Sequence, residues 1–259
     1  MNVFESVPEF VNLDNRVSRT FSPISAEQML HKHESLLPRE LVEGKTVLDL
    51  GCGIGATGHW CLSNGAAHYT GVEPQQTYME TADSLLKKYY PGRADIVHTS
   101  LEQYLREHNT QFDVVTVLAV LHASVDICSR LEQITTRTRE VVAIEELLPR
   151  LNAKDPSFNG VEFSQTEGIN LADTNASLSG RGARISPLGL AFLMEGFGFE
   201  SSGVLPIRPI SDTVDNFNAP QKPSNARYVM RFRRTGTMRG SVSENMLTGN
   251  RSAIKPWLV

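Results

Sequence analysis

Long apolar runs, a basic leader and paired cysteines are all missing from this sequence. No apolar run approaches the roughly 20 residues that a membrane-spanning helix needs. Residues 1–10 hold two glutamates and no basic side chain, unlike a secretory signal. The cysteines, Cys52, Cys61 and Cys128, form no CxxC pair, which argues against a disulfide framework or a zinc site. We therefore expect a cytoplasmic protein with no bound metal and no membrane partner.

The charge of the chain is unevenly distributed. The net charge is −4, yet from Asn225 onward seven basic side chains accompany a single acidic one, Glu244. A basic end on an acidic body could meet nucleic acid or another anion, or it could pair with the acidic surface of the protein itself. The second interpretation is the simpler one, and nucleic acid stays open as a partner. Nothing in the composition separates a monomer from a homodimer.

Strand and helix patterns alternate through most of the chain. Short apolar runs predict strands at residues 46–50, 69–73, 95–98, 112–120 and 140–147. Helical patterns lie between and after them, at residues 56–63, 75–90, 101–108 and 124–136. A further helix at 187–196 and strands at 201–206 and 226–232 complete the series. This alternation predicts βαβ units and a parallel sheet with both faces covered.

A helix is predicted before the first strand, at residues 25–37. Ser25 and Gln28 have the spacing of a capping box, and Pro38 ends the helix. His31 and His33 lie two positions apart and so point in different directions on a helix, which argues against a metal pair. We expect both histidines at the surface.

The chain divides into three predicted parts. Residues 1–44 form an N-terminal cap segment, residues 45–234 the main domain, and residues 235–259 a basic tail. Within the main domain, residues 149–185 are polar and lack periodicity, which is typical of a functional loop or lid. Side chains that could read a substrate there are Phe163, Asn170, Asn175, Arg181 and Arg184.

The glycine-rich turn at residues 49–55 follows the first predicted strand. It matches GxGxxG from Gly53, with Glu73 twenty residues beyond, which is the spacing of a dinucleotide site. It also reads DxGxGxG, with Asp49 two residues before Gly51. An acid at this place suits the methionine ammonium of S-adenosylmethionine and would repel a pyrophosphate. The turn therefore favours S-adenosylmethionine over a dinucleotide.

Four segments carry a family resemblance. VLDLGCGIGATG (47–58) and GVEPQQTYMETA (71–82) resemble the first two motifs of class I S-adenosylmethionine-dependent methyltransferases. FDVVTVLAVLHAS (112–124) is similar to the FDxVxxxxVLHH segment of small-molecule and quinone-type members, and ISPLGLAFLMEGFGFES (185–201) to their final helix and strand. The resemblance implies an α/β, Rossmann-like, doubly wound sheet of seven strands, the last one antiparallel, with a helical N-terminal cap and an insertion after strand five.

The resemblance also implies a set of cofactor contacts. Glu73 would take the ribose hydroxyls, and the segment from Thr99 would contact the adenine, where this chain lacks the acid that the family often has. An arginine of the N-terminal segment, Arg16 or Arg19, would meet the methionine carboxylate. The expected cofactor-binding residues are Arg19, Asp49, Gly51, Cys52, Gly53, Gly55, Glu73, Pro74, Ser100, Leu101, Ala119 and Val120.

The acceptor is expected over the carboxyl ends of strands four and five. His122 is the candidate general base there, because imidazole titrates near neutral pH; it could also merely pack at the strand end. Glu145 or Glu146 could hold an ammonium substrate, and by alternation only one of the two faces the site. Glu145 is taken as the second catalytic candidate.

These features predict an S-adenosylmethionine-dependent methyltransferase that methylates nitrogen or oxygen of a small-molecule substrate. Three alternatives stay open. The enzyme could modify tRNA, it could cyclise or cleave S-adenosylmethionine with release of methylthioadenosine, or it could bind the cofactor without turnover.

Overall fold

The computed structural model describes residues 2–11, 25–124, 126–149, 160–165, 181–205 and 227–236. Its strands are β1 (Thr46–Leu50), β2 (His68–Glu73), β3 (Ala94–His98), β4 (Phe112–Leu118), β5 (Thr138–Leu147), β6 (Val161–Gln165), β7 (Arg181–Ile185), β8 (Phe199–Val204) and β9 (Arg227–Arg234). Its helices are α1 (Val3–Ser6), α2 (Ala26–Leu36), α3 (Arg39–Val42), α4 (Ala56–Ser63), α5 (Gln76–Tyr89), α6 (Leu101–Glu107), α7 (Ile127–Thr136) and α8 (Pro187–Gly196). No helix within these ranges is both long and apolar enough to cross a membrane.

Seven of the strands form one sheet in the order β3-β2-β1-β4-β5-β9-β8. Strands β1 to β5 run parallel, and β9 is antiparallel to both of its neighbours. The predicted fold class, a doubly wound seven-stranded sheet whose last strand is antiparallel, is confirmed. The carboxyl ends of β1, β2, β4 and β5 consequently share one edge, where an open α/β sheet binds its ligands.

Helices cover both faces of the sheet. On one face, which we call the cap layer, helices α1, α2, α4 and α5 pack on the sheet through Phe4, Leu36, Trp60 and Leu86. On the other face, α6, α7 and α8 contribute side chains such as Leu131, which is fully buried. Burial of each such side chain stabilises the fold by about 1.5–3 kcal/mol.

Alternation along the strands assigns each side chain to one face. Val141 and Ala143 of β5 lie in the cap layer, while Val142 and Ile144 lie in the opposite layer. Glu145 therefore faces the cap layer and Glu146 faces away from it.

His33, in the cap layer, is buried although the sequence pattern predicts it at the surface. The capping box of α2 is present, with the Ser25 hydroxyl accepting the Gln28 N–H and the Gln28 side chain accepting the Ser25 N–H. His31 is exposed as expected, but His33 is buried. The surface prediction for His33 is wrong because the ring lies against Phe4 and Trp60 and under α1. Periodicity within α2 could not reveal that α1 covers this face.

Two of the boundaries that differ from the predictions lie on either side of the turn after β4. Strand β4 ends at Leu118 and not at residue 120, because Ala119 takes a left-handed conformation with φ 58°. The helix predicted from residue 124 begins at Ile127, after a short 3-10 turn at Leu121–Ala123. The change of direction at Ala119 brings this turn to the carboxyl edge of the sheet.

The predicted insertion is not wholly irregular. Strands β6 and β7 pair as an antiparallel hairpin that is separate from the main sheet. Its residues Phe163 and Arg184 are described, whereas Arg16, Arg19, Asn170 and Asn175 lie outside the described residues, as does the tail from residue 237.

Candidate active site

The glycine turn after β1 is tightly fitted on one side and open on the other. Gly51 has φ 86°, and a Cβ there would lie 2.5 Å from Cγ1 of Val120. Gly53 has φ 54°, and a Cβ there would meet no atom within 4 Å. Only glycine takes these left-handed conformations at no steric cost. The turn thus closes against the end of β4 at Gly51 and leaves space at Gly53.

Asp49 lies beneath this turn. Its carboxylate accepts the Tyr69 hydroxyl at 2.7 Å and the Thr116 hydroxyl at 2.6 Å, so it joins β1 to β2 and β4. Burial raises the pKa of Asp49, while the two hydroxyls and the charge of Lys32 oppose that shift. With 1% of its surface exposed, Asp49 supports the turn from below.

Glu73 ends β2 beside the glycine turn, at the predicted place. One carboxylate oxygen accepts the Gly53 N–H and the other accepts the Gln75 N–H, each at 2.9 Å. Burial raises the pKa of Glu73, and the two backbone hydrogen bonds act against that rise. Each oxygen keeps a lone pair beyond the one used, so the group can accept two more hydroxyls.

The segment after β3 starts α6 next to β2. The Ser100 hydroxyl caps the helix by accepting the Gln103 N–H at 3.1 Å. The Thr99 hydroxyl is buried and has no hydrogen-bond partner among the described residues. Leu101 is half-buried. A buried hydroxyl without a partner costs free energy, and a polar ligand atom would relieve that cost.

The remaining predicted cofactor residues surround the turn. Cys52 is buried with its sulfur against Gly71, and Gly55 begins α4 with φ 86°. Pro74 accepts a hydrogen bond from His98 at 3.0 Å through its carbonyl oxygen. Ala119 donates its N–H to the carbonyl of Glu145 at 2.7 Å. The described members of the predicted set therefore lie along the carboxyl ends of β1, β2, β3 and β4.

His122 and Glu146 meet at the end of β4 and β5. Nδ1 of His122 lies 2.7 Å from Oε1 of Glu146, and the His122 N–H donates to Oε2 at 2.9 Å. Glu146 is fully buried, whereas the His122 side chain keeps 20% of its surface exposed. The structure thus assigns the carboxylate partner of His122 to Glu146.

Glu145 has a different partner on the other face of the sheet. Its Oε2 lies 2.5 Å from Nζ of Lys32, with 0% and 14% of the two side chains exposed. Lys32 belongs to α2, so this ion pair crosses the cap layer. The predicted catalytic pair, His122 and Glu145, is separated by the sheet, and a catalytic role for Glu145 stays a prediction.

The β6–β7 hairpin lies beside His122. Strand β7 packs against the turn Leu121–Ala123. Arg184 is buried and donates to the carbonyl of Leu148 at 3.3 Å, while Phe163 has 70% of its surface exposed. The part of the insertion that is described thus lies beside the turn that follows β4.

Two arginines of the basic last strand bind the protein itself. Arg231 donates to the Ser35 carbonyl at 3.2 Å, and Arg234 donates to the carbonyls of Thr135 and Thr138 at 2.6 and 2.7 Å. The acceptors are backbone carbonyls and not acidic side chains, so the pairing of the basic end with the acidic surface stays a prediction.

Comparison with known proteins shows which family part of this chain is similar to. Residues 48–144 match the family model described as "Methyltransferase domain". This part of the chain is therefore similar to methyltransferase domains. A curated relative, an uncharacterized protein of Haemophilus influenzae, is 33% identical over 105 residues, which is 39% of this chain and 41% of that protein. The matched part thus spans less than half of that relative.

Solved structures share the fold of this chain. One, assigned as an S-adenosylmethionine dependent methyltransferase of Listeria monocytogenes, has a TM-score of 0.60 at 15% identity and covers 82% of this chain and 100% of its own. Another is the Burkholderia thailandensis 1,6-didemethyltoxoflavin-N1-methyltransferase, with a TM-score of 0.57, 15% identity and coverage of 90% and 87%. These matches confirm the predicted fold, and they are consistent with the predicted resemblance to S-adenosylmethionine-dependent methyltransferases.

Sequence reasoning missed several residues of the site. Thr116 and Tyr69 look like ordinary strand residues, and Lys32 like a surface residue of an amphipathic helix. Their contacts join residues 20 to 113 positions apart in the chain. A polar residue inside an otherwise apolar strand, as Thr116 is, was the one available signal that a buried hydrogen bond was needed.

Proposed function

We propose that this methyltransferase domain binds S-adenosylmethionine at the glycine turn and methylates nitrogen or oxygen of a small molecule. The observation that carries the proposal is the position of Glu73 beside the open side of the turn at Gly53. The match to the family model supports methyl transfer as the reaction class. The Burkholderia neighbour was crystallised with S-adenosylhomocysteine and a small-molecule substrate, which supports the same use of the fold here.

The described residues fit this cofactor. Glu73 has two acceptor positions left for the ribose hydroxyls, and Gly53 leaves room for a ligand against the backbone. The Thr99 hydroxyl is available to the adenine edge, where the family often has an acid. Asp49 is too buried for direct contact with the methionine ammonium, so we assign it the support of the turn and a negative charge below it.

The acceptor would lie over the ends of β4 and β5, next to His122. When bound, S-adenosylmethionine supplies a methyl group on a sulfonium, whose sulfur leaves as a neutral thioether. The protein therefore has to position the acceptor, exclude water and remove a proton from the nucleophile. His122 is the residue we propose for the last task.

Calorimetry with S-adenosylhomocysteine tests the cofactor site. We expect Glu73→Ala to lose at least about 10-fold in affinity, since two hydrogen bonds to a charged acceptor are removed. Glu80→Ala, an exposed acid on α5, is the matched control and should bind as the wild type does. Unchanged affinity in Glu73→Ala would refute the ribose assignment.

Product analysis tests the reaction. Incubation of the protein with S-adenosylmethionine labelled in its methyl group and a metabolite extract should transfer label to molecules that pass a small-pore filter, with release of S-adenosylhomocysteine. Label retained on RNA would favour tRNA as the substrate. Release of methylthioadenosine would favour cleavage or cyclisation, and binding without either product would contradict turnover.

A further inference from the structure

We propose that Glu146 is the positioning residue of a His122–Glu146 base dyad, and that the acceptor is a hydroxyl or ring N–H compound which gives up its proton to Nε2 of His122. The proposal rests on the methyl transfer proposed above and specifies its substrate class. It begins from the contact of 2.7 Å between His122 Nδ1 and the buried Glu146 carboxylate.

Glu146 is held in place by three donors. Oε2 accepts the backbone N–H of His122 at 2.9 Å. Oε1 accepts both Nδ1–H of His122 and the N–H of Leu147, at 2.7 and 2.6 Å. Two of these donors come from His122, so the carboxylate fixes both the backbone and the ring of the same residue.

This arrangement selects one tautomer of His122. A carboxylate accepts hydrogen bonds and donates none, so Nδ1 carries the proton in this contact. In the neutral ring Nε2 then bears the lone pair, and it has no hydrogen-bond partner among the described residues. Because Nδ1 faces Glu146 and 20% of the side chain is exposed, we assign that lone pair to a ligand at the carboxyl edge of the sheet.

A glutamine could not replace Glu146 in this role. All three groups that surround the side chain are donors, and an amide presents an NH₂ at one of its two ends. An NH₂ at the Oε2 position would place one donor against another, the His122 N–H, and this hydrogen bond would be lost. An NH₂ at the Oε1 position would oppose the Leu147 N–H and move the ring proton to Nε2, where it blocks the base.

The proton transfer balances the methyl transfer. The nucleophilic oxygen or nitrogen of the acceptor forms a bond to the methyl carbon, the electron pair of the sulfur–methyl bond stays on sulfur, and the acceptor proton moves to Nε2. The products are S-adenosylhomocysteine, the methylated acceptor and an imidazolium whose charge faces Glu146. A buried carboxylate beside the ring stabilises that charge, as an orienting acid does in other imidazole bases.

The other acid at this edge supports the same substrate class. Glu145 lies on the opposite face of the sheet and pairs with Lys32. Both glutamates at the end of β5 thus already have cationic or N–H partners within the protein. A neutral acceptor that must lose a proton fits these surroundings better than an ammonium compound, which needs a carboxylate of its own.

The first experiment reads the tautomer directly and needs no acceptor. The protein is produced with ¹⁵N-labelled histidine and saturated with S-adenosylhomocysteine. The NMR signals of the His122 ring nitrogens are assigned by their loss in His122→Gln. We expect Nδ1–H in the wild type, and Nε2–H or a mixture of both forms in Glu146→Gln. The Nε2–H form in the wild type, or an identical His122 spectrum in Glu146→Gln, overturns the proposal. Glu140→Gln, an exposed acid of the same strand, is the control.

The second experiment uses kinetics on the acceptor found in the labelled extract. We expect His122→Ala and Glu146→Gln each to lower kcat by about 10²- to 10⁴-fold, with KM nearly unchanged. In the His122→Ala background, Glu146→Gln should change kcat by less than about twofold, since residues that act through each other are not additive. A full additional loss in the double variant would show that Glu146 acts by supporting the fold alone.

The two experiments distinguish failure of the methyl transfer from failure of the His122–Glu146 dyad. If no molecule is methylated, the proposed function fails, and the spectrum still decides whether the dyad exists. If methyl transfer occurs and the only acceptors found lack an ionisable proton, the substrate class is overturned while the methyltransferase activity stands.

Discussion

Lys32 and Glu145 form an ion pair of 2.5 Å that ties helix α2 to the carboxyl end of β5. Both side chains are largely shielded from water. Removal of one partner from a buried ion pair is strongly destabilising, because the remaining charge loses the opposite charge that faced it. The pair therefore holds the N-terminal cap layer at the edge of the sheet where the candidate site lies.

A double-mutant cycle measures this coupling. Lys32→Met and Glu145→Gln should each lower the free energy of unfolding by about 3–5 kcal/mol, and the double variant should lose clearly less than the sum. Lys87 and Asp83, an exposed pair within α5, serve as the control and should couple by no more than about 0.5 kcal/mol. Urea denaturation gives both values. Additive losses of unfolding free energy for Lys32 and Glu145 would mean that their contact does not stabilise the packing of α2 on the sheet.

Two glycines of the turn should respond differently to the same substitution. Alanine with φ above zero costs about 1–2 kcal/mol at either position. Gly51→Ala also pushes its methyl group to 2.5 Å from Val120, so it should destabilise the protein further, and Val120→Ala should restore part of the loss. The methyl group of Gly53→Ala would contact no atom of the protein within 4 Å. It would occupy space that we assign to the ligand, so the main effect should be weaker binding of S-adenosylhomocysteine. Thermal unfolding and calorimetry separate the effects; equal stability of both variants would contradict the packing at Gly51.

Acid should weaken the cap layer through His33. Burial lowers the pKa of His33 to about 3, from 6.5. The unfolded chain binds this proton at a higher pH than the folded one, so stability is intact above pH 6.5 and is lost as the pH falls towards 3. At pH 5 the expected loss from this group is about 2 kcal/mol. Burial also lowers the pKa of His59, which acts in the same direction.

His33→Gln should remove most of that pH dependence. The amide does not titrate, so the difference in unfolding free energy between pH 7 and pH 5 should shrink by about 2 kcal/mol. His31→Gln, which changes an exposed histidine on the same helix, should leave the difference as it is. An unchanged pH dependence in His33→Gln would show that the ring takes up a proton without unfolding.

Cofactor affinity should fall on acidification because of Glu73. Burial raises the pKa of Glu73 above 4.5, so the carboxylate that would accept the ribose hydroxyls is lost at a higher pH than for an exposed acid. Calorimetry with S-adenosylhomocysteine between pH 8 and pH 4.5 should show this decline in the wild type. Glu73→Gln should bind more weakly at neutral pH and depend less on pH; a parallel decline in that variant would assign the titration to another group.

Much of the fold could be predicted because its signals are local. Apolar runs separated by helical periodicity follow from the chemistry of a buried parallel sheet, and the glycines before α4 follow from the backbone conformation that the turn requires. The position of Glu73 beside the turn could be predicted as well, since the end of β2 lies next to the end of β1 in any sheet of this connectivity. The boundary error at the end of β4 arose at Ala119, whose left-handed conformation no residue preference indicates.

The sequence by itself thus determined the alternation of strands and helices, the glycine turn and the acid that ends β2. Only the tertiary structure decided that β9 lies between β5 and β8, that α1 buries His33, and that His122 meets Glu146 while Lys32 meets Glu145. Periodicity assigns Glu145 and Glu146 to opposite faces of the sheet. It cannot identify their partners, because each partner comes from a segment 24 or more residues away and its position depends on how the layers pack.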